Sequence, residues 1–291
     1  MGKFVSYFNK IYEPFIGSLP DIIAVKRGIK PLTRLNCDNS VEKCLNFLKF
    51  SQKNKLYFEI KKSKLATNAY LSKRKNLVDF YKLYDPEYDF NSATKSMIKS
   101  FAKSLGYPSC CIKNYLDKSQ KQIVTSYLRD GVNTIPFYFN NFLHSISNYY
   151  LSFHLSCSLN CKLTKAYNQK IFNAIRKDEP EFAIKLKEIL TYPTLVWFNM
   201  NNQYCYDDRI VILFQGFIVN KTIHYSRCFF LKTNYPNNKA FHLNVFQYLP
   251  YFKVGDKLEY SRKEINIFKN NNLIYKIKRQ SNFEGALFKF Y

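Results

Sequence analysis

The chain has 291 residues, 46% of them hydrophobic, and a formal net charge of +24; this supplies a core for one large domain or two modest ones and excludes a largely disordered chain. The longest apolar stretches, 210–214 and 217–219, fall far short of the roughly 20 residues of a membrane-spanning helix, so no transmembrane contact is expected. Lys3, Lys10 and Glu13 interrupt residues 1–18, which lack a small-residue cleavage site and match only a loose myristoylation pattern at Met1, Gly2 and Ser6; a cytoplasmic location is expected.

Lys and Arg outnumber Asp and Glu by 13 to 5 in residues 1–70, 11 to 6 in 71–150, 8 to 6 in 151–220 and 13 to 4 in 221–291. So diffuse an excess reads first as a solvated surface and second as a footprint for RNA or DNA. The abundance of Lys, Asn, Ile, Phe and Tyr beside scarce Gly, Ala and Trp also fits an A- and T-rich genome, which raises lysine without any ligand.

Residues 1–66 read as mixed, with an amphipathic helix over 41–50 and a short strand over 55–60. Helical spacing over 71–83 stops at Asp85-Pro86-Glu87, and a helix over 91–105 ends at Gly106. Pro108 and Ser109 then form a turn and an N-cap, so that Cys110 and Cys111 fall in a first helical turn; a loop with Gly131 and Pro136 leads to a buried aromatic run at 137–142. His154-Leu155-Ser156-Cys157-Ser158-Leu159-Asn160-Cys161 opens a helical pattern through Ala166, Ile171, Ala174 and Ile175, broken at Asp178-Glu179-Pro180 and resumed over 182–190.

Past Tyr192-Pro193, the segments 195–198, 209–214, 216–220, 223–231, 257–260, 265–268 and 273–277 are short, β-branched and aromatic. The asparagine clusters at 199–202 and 270–272 read as turns between them. The expected fold class is α+β: a helical N-terminal two-thirds carrying a Cys/His metal site, then a mainly antiparallel β region. The expected division is a metal-binding domain at 1–191 and a β-rich domain or subdomain at 192–291.

Four of the eight cysteines fall in two tight groups, Cys110 with Cys111 and Cys157 with Cys161, and His154 stands three residues before Cys157. Thiolate and imidazole are the ligands of zinc and iron–sulfur centres. Cys157 and Cys161, four apart, can face one way across a helical turn, and helix starts favour thiolate over thiol. The candidate metal and cofactor ligands are therefore Cys110, Cys111, His154, Cys157 and Cys161. Adjacent cysteines are awkward for one tetrahedral ion and easier on a cubane, so an iron–sulfur cluster is expected first and zinc second.

Blander readings compete: Cys110 and Cys111 as small core residues, or as a strained vicinal disulfide. Cys37 and Cys44 read as packing residues, Cys205 and Cys228 have no near partner, and His144, His224 and His242 stand alone. Asp207-Asp208-Arg209 reads as a turn. No phosphate loop, nucleophile elbow, H-E-x-x-H pair or C-x3-C-x2-C triplet is present.

The strings Gly106-Tyr107-Pro108-Ser109-Cys110-Cys111 and His154 to Cys161 resemble an uncharacterised prokaryotic group that pairs G-Y-P-x-C-C with H-x-x-C-S-x-x-C, over residues 101–175. The resemblance implies that these cysteines act together and implies no activity. The function expected is an iron–sulfur protein in sulfur transfer, electron transfer or reductive modification, with a redox or sulfur-carrier partner. The alternative is a zinc-stabilised module binding RNA or DNA.

Overall fold

The computed structural model describes residues 19–36, 41–62, 67–84, 93–128, 132–143, 149–202, 208–232, 245–261, 263–278 and 283–291. In chain order the elements are α1 (Leu19–Lys26), β1 (Leu32–Asn36), α2 (Val41–Lys53), β2 (Tyr57–Lys62), β3 (Thr67–Ser72), α3 (Lys75–Tyr84), α4 (Lys95–Ser104), α5 (Ser109–Asp117), α6 (Gln120–Thr125), β4 (Val132–Ile135), two single 3-10 turns (Phe137–Phe139 and Asn141–Leu143), α7 (Lys162–Asp178), α8 (Pro180–Leu190), β5 (Thr194–Asn199), β6 (Arg209–Val219), β7 (Thr222–Lys232), α9 (Leu249–Val254), β8 (Lys257–Tyr260), β9 (Glu264–Lys269), β10 (Asn272–Lys278) and β11 (Phe283–Phe290). They fall into two compact units, one from the described residues up to Leu116 with Ala166–Ala183, the other from Asp117–Lys165 with Ile184–Tyr291.

The first unit is built on a three-stranded antiparallel sheet in the order β1-β3-β2. Its central strand β3 is buried along its whole length, because alternate side chains meet different layers. Ala69 and Leu71 pack with Ile22 and Val25 of α1, Leu35 of β1 and Phe47 of α2, whereas Tyr70 packs with Val78 and Tyr81 of α3 and with Phe101 and Leu105 at α4. A strand covered on both faces shows no apolar–polar alternation, which is why Leu71 read as part of a helix. At the far end of α7, Asp178 accepts from Arg27 Nε at 3.1 Å and from the Arg27 guanidinium terminus, and faces Lys26 at 3.2 Å. The Arg27 hydrogen bond, assisted by Lys26, holds Asp178 below the usual carboxylate range.

The second unit carries an eight-stranded sheet in the order β10-β9-β8-β7-β6-β5-β11-β4. One face gathers Leu195 and Trp197 of β5, Ile210, Ile212 and Phe214 of β6, Ile223 and Tyr225 of β7, and Leu258, Ile265 and Ile267 of β8 and β9, covered by Phe252 of α9. The Asn270–Asn271 loop joins β9 to β10 with φ +50° and +62°, the primed turn whose twist matches antiparallel strands and which asparagine tolerates.

The expected α+β class is refined in two respects. Helices are not confined to the N-terminal two-thirds, which also hold the β1-β3-β2 sheet and β4, while α9 lies in the C-terminal third. Nor is the large sheet wholly antiparallel, because β4 pairs in parallel with β11, from Val132 opposite Leu287 to Ile135 opposite Phe290. A four-residue strand whose partner is the end of the chain gives too short a run for period reading, and its pairing is wholly non-local. No helix among the described residues is long and apolar enough to cross a membrane.

β6 and β7 form the longest hairpin, with a register shift between Gln215 and Gly216 that leaves Ser226 as the extra residue of β7. The strands approach so closely there that a Cβ on Gly216 would overlap the His224 carbonyl oxygen and lie 2.7 Å from the Tyr225 Cα. Gly216→Ala is expected to destabilise the chain by about 2 kcal/mol, read as a lower midpoint in urea unfolding; an unchanged midpoint would mean that the strands part without cost.

Candidate metal centre

The first cysteine pair is placed by the way α4 ends. Its C-cap Leu105 is followed by Gly106 at φ +79°, and the N–H groups of Gly106 and Tyr107 donate to the carbonyls of Lys103 and Ala102 at 2.9 and 3.1 Å. This closes α4 in a Schellman motif, whose left-handed residue favours glycine. A Cβ at Gly106 would also meet Pro31 Cδ at 3.4 Å and the Ile29 carbonyl at 3.5 Å. Pro108 then starts α5, its carbonyl accepting from the N–H groups of Cys111 and Ile112, each at 3.0 Å.

Three further residues of the first unit brace this turn. Lys30, buried, donates to Asp21 at 2.5 Å and lies over the Tyr107 ring at 5.8 Å. Tyr167, in the second turn of α7, donates its hydroxyl to the Leu105 carbonyl at 3.3 Å. Burial, with the Asp21 carboxylate nearby, pushes the Tyr167 phenol well above its ordinary range, so it remains a donor.

The second pair comes from the chain entering α7. Cys161 occupies the N-cap position: its carbonyl accepts the Lys165 N–H at 3.0 Å, and its Sγ accepts the Thr164 N–H at 3.4 Å, the place an oxygen side chain usually fills. The preceding loop is held by Tyr127, whose hydroxyl donates to the Ser156 carbonyl, and by Asn141, whose Nδ2 donates to the His154 carbonyl at 3.4 Å. Ser156 turns its own hydroxyl to the Ser158 carbonyl at 2.7 Å.

The sulfur atoms of Cys110, Cys111, Cys157 and Cys161 all lie within 4.8 Å of one another, with Cys111 and Cys161 buried and the other two half-buried. Cys110 Sγ and Cys111 Sγ are 3.8 Å apart, and none of the six described cysteines is in a disulfide. Four sulfurs so close can hold a metal. His154 is beside the group and is not one of its four members: Nδ1 meets the Ser152 hydroxyl and Nε2 the Thr164 hydroxyl, each at 3.1 Å. Thr164 is the link, since its hydroxyl meets His154 while its N–H reaches Cys161.

Thr164 was readable in principle as the third residue after an N-cap. Asp21, Lys30 and Tyr167 carried no local signal, because their roles depend on partners distant in sequence.

The remaining candidates separate from this group. Cys44 packs half-buried against the α1–α2 core with Phe50 and Phe58, and Cys228 packs against the core of the large sheet, where burial pushes its thiol up to about 11. His224 stacks on Phe217. Asp208 and Arg209 are buried rather than in a solvated turn: Asp208 Oδ2 accepts from Asn199 and Asn202 at 2.8 and 3.2 Å, and Arg209 Nε donates to the Phe142 carbonyl at 2.9 Å. Cys37, His144, Cys205, Asp207 and His242 lie outside the described residues.

Residues 76–191, which span both cysteine groups and less than half the chain, match the family model described as Protein of unknown function (DUF483). No curated protein and no solved structure matches the chain.

Gly106→Ala is expected to cost about 1–2 kcal/mol, the penalty of left-handed backbone for a residue with a Cβ, and Gly106→Asn less. Thermal unfolding of the two variants checks the order; equal midpoints would contradict the capping account.

Proposed function

We propose that Cys110, Cys111, Cys157 and Cys161 bind one tetrahedral metal ion, zinc, in a closed structural centre that fixes the starts of α5 and α7. The spacing of the sulfurs carries this reading. Four thiolates at about 2.3 Å from a single ion stand about 3.8 Å from each other. The Cys110–Cys111 separation is 3.8 Å and every other pair lies within 4.8 Å.

A cubane gives each thiolate its own iron at a separate corner, so its ligands must stand wider than the edge of a single-ion tetrahedron. The iron–sulfur reading, with a redox or sulfur-carrier partner and electron transfer, sulfur transfer or reductive modification as its function, therefore has less geometric support. Adjacent cysteines oppose zinc only where their sulfurs diverge, and here they converge. A full set of four protein thiolates leaves no position for water or substrate, which favours a structural over a catalytic role. His154 then orients the Cys161 side through Thr164, as outer-shell groups do for ligands.

Native mass spectrometry of protein purified without chelators is expected to find one zinc per chain, and cobalt exchanged into the site should give the intense visible bands of an all-sulfur tetrahedron. Alanine at any of the four cysteines should empty the site, whereas Cys44→Ala and Cys228→Ala should leave it filled. A brown anaerobic preparation with about four irons and labile sulfide per chain would replace this reading with the cluster. His154→Ala is expected to weaken metal affinity by about 10- to 100-fold, measured by competition with a chromogenic chelator; an all-or-none loss with altered cobalt bands would make it a ligand.

A further inference from the structure

The large sheet changes character along β6. Its first six residues are buried, and from Gln215 onward exposed positions appear. Near β5 and β11 the outer face is covered by Phe142, whose ring lies 4.5 Å from that of Phe288 and 6.2 Å from that of Phe198. Toward β10 the same face is open: Phe217 is 60% exposed and Leu273 51%.

The strand register lays one transverse row across that open face. Phe217 faces His224, His224 faces Lys257, Lys257 faces Phe268, and Phe268 faces Leu273. The adjacent row, Ile218, Ile223, Leu258 and Ile267, is in the core, so by the two-residue period of a strand the first row points outward. The Phe217 and His224 rings stack at 5.3 Å and 21°, and Lys257 Nζ sits over the Phe268 ring at 4.2 Å. A shallow groove of about 480 Å³ runs alongside, lined by Phe217, His224, Lys257, Asn270 and Asn271.

Charge favours one class of occupant. Residues 221–291 hold 13 Lys and Arg against 4 Asp and Glu. The carboxylates near the row each face a lysine, Glu259 with Lys257 at 3.5 Å, Asp256 with Lys269 at 3.5 Å and Glu264 with Lys276 at 3.3 Å. Lys221, in the turn between β6 and β7, and Arg227 of β7 are exposed. A solvent-facing row of π faces and cations matches unpaired bases, which have faces to stack, joined by phosphates.

We propose that the outer face of β6 to β10 binds single-stranded nucleic acid, with bases stacking on Phe217 and His224 and phosphates meeting Lys221 and Arg227. Duplexes fit less well, because their bases are already stacked on each other. The inference stands apart from the metal centre.

Fluorescence anisotropy of the full chain with labelled RNA and DNA single strands of about 12 nucleotides, and with the RNA duplex, at roughly 150 mM salt, tests it. Both single strands are expected to bind more tightly than the duplex. Phe217→Ala should weaken binding by about 5- to 100-fold, Phe217→Trp should restore it, and His224→Ala should weaken it as well, with circular dichroism unchanged. Lys75→Ala, on α3, should change it less than about two-fold. The proposal is overturned if no single strand binds, if the duplex binds equally well, if Phe217→Ala behaves like Lys75→Ala, or if phosphatidylserine vesicles bind and RNA fails to displace them.

Discussion

Four sulfur atoms within 4.8 Å of one another are the constraint around which the neighbouring structure makes sense. At that separation four thiolates repel strongly in a partly dehydrated setting, so all four can be ionised together only with a cation among them. Two of the sulfurs belong to the first turn of α5 and one caps α7. Unsatisfied N–H groups at a helix start carry partial positive charge, which lowers the cost of sulfur as an anion. The same N–H groups also fix direction, since the Thr164 N–H aims at the Cys161 sulfur.

Much of the surrounding chemistry serves to hold these helix starts. Gly106 supplies a backbone conformation that ends α4 and turns the chain into α5, and Tyr167 carries a hydrogen bond from α7 to the end of α4. Tyr127 and Asn141 do the equivalent for the loop before Cys161, each through a side chain that satisfies a backbone carbonyl. Asn141 belongs to a 3-10 turn with Phe142, whose ring packs on Phe198 and Phe288 of the large sheet. The sheet therefore fixes the turn, and the turn fixes the loop that presents two of the sulfurs. A buried carbonyl left without a donor would cost about as much as a lost hydrogen bond, which makes these tethers selective for one loop path.

The large sheet is two things at once. Along β5 and the first half of β6, side chains on both faces are buried and the strands read as largely apolar runs. Toward β10, alternation returns, and the outward row mixes aromatic rings with lysine. Gly216 marks the transition, at the register shift where a Cβ on β6 would meet the backbone of β7.

Local chemistry was legible in the sequence. The grouping of the cysteines, helix stops at Gly106 and Pro180, an asparagine turn at 270–271 and strands over 257–260, 265–268 and 273–277 follow from residue type and spacing, because a cap, a turn or an alternating strand is decided within a few residues. What depended on distant partners was not legible. β3 hid its identity because both its faces are covered, and β4 because its partner is the last strand of the chain. Asp208 and Arg209 read as a turn and are buried, hydrogen-bonded to Asn199, Asn202 and Phe142. The His154 imidazole could have pointed anywhere, and only the positions of Ser152 and Thr164 decided that both ring nitrogens meet hydroxyls. Sequence alone determined which thiols this chain offers as neighbours along the backbone; tertiary structure decided how far apart their sulfurs stand, because that distance is set by the packing of helices and strands far apart in the chain.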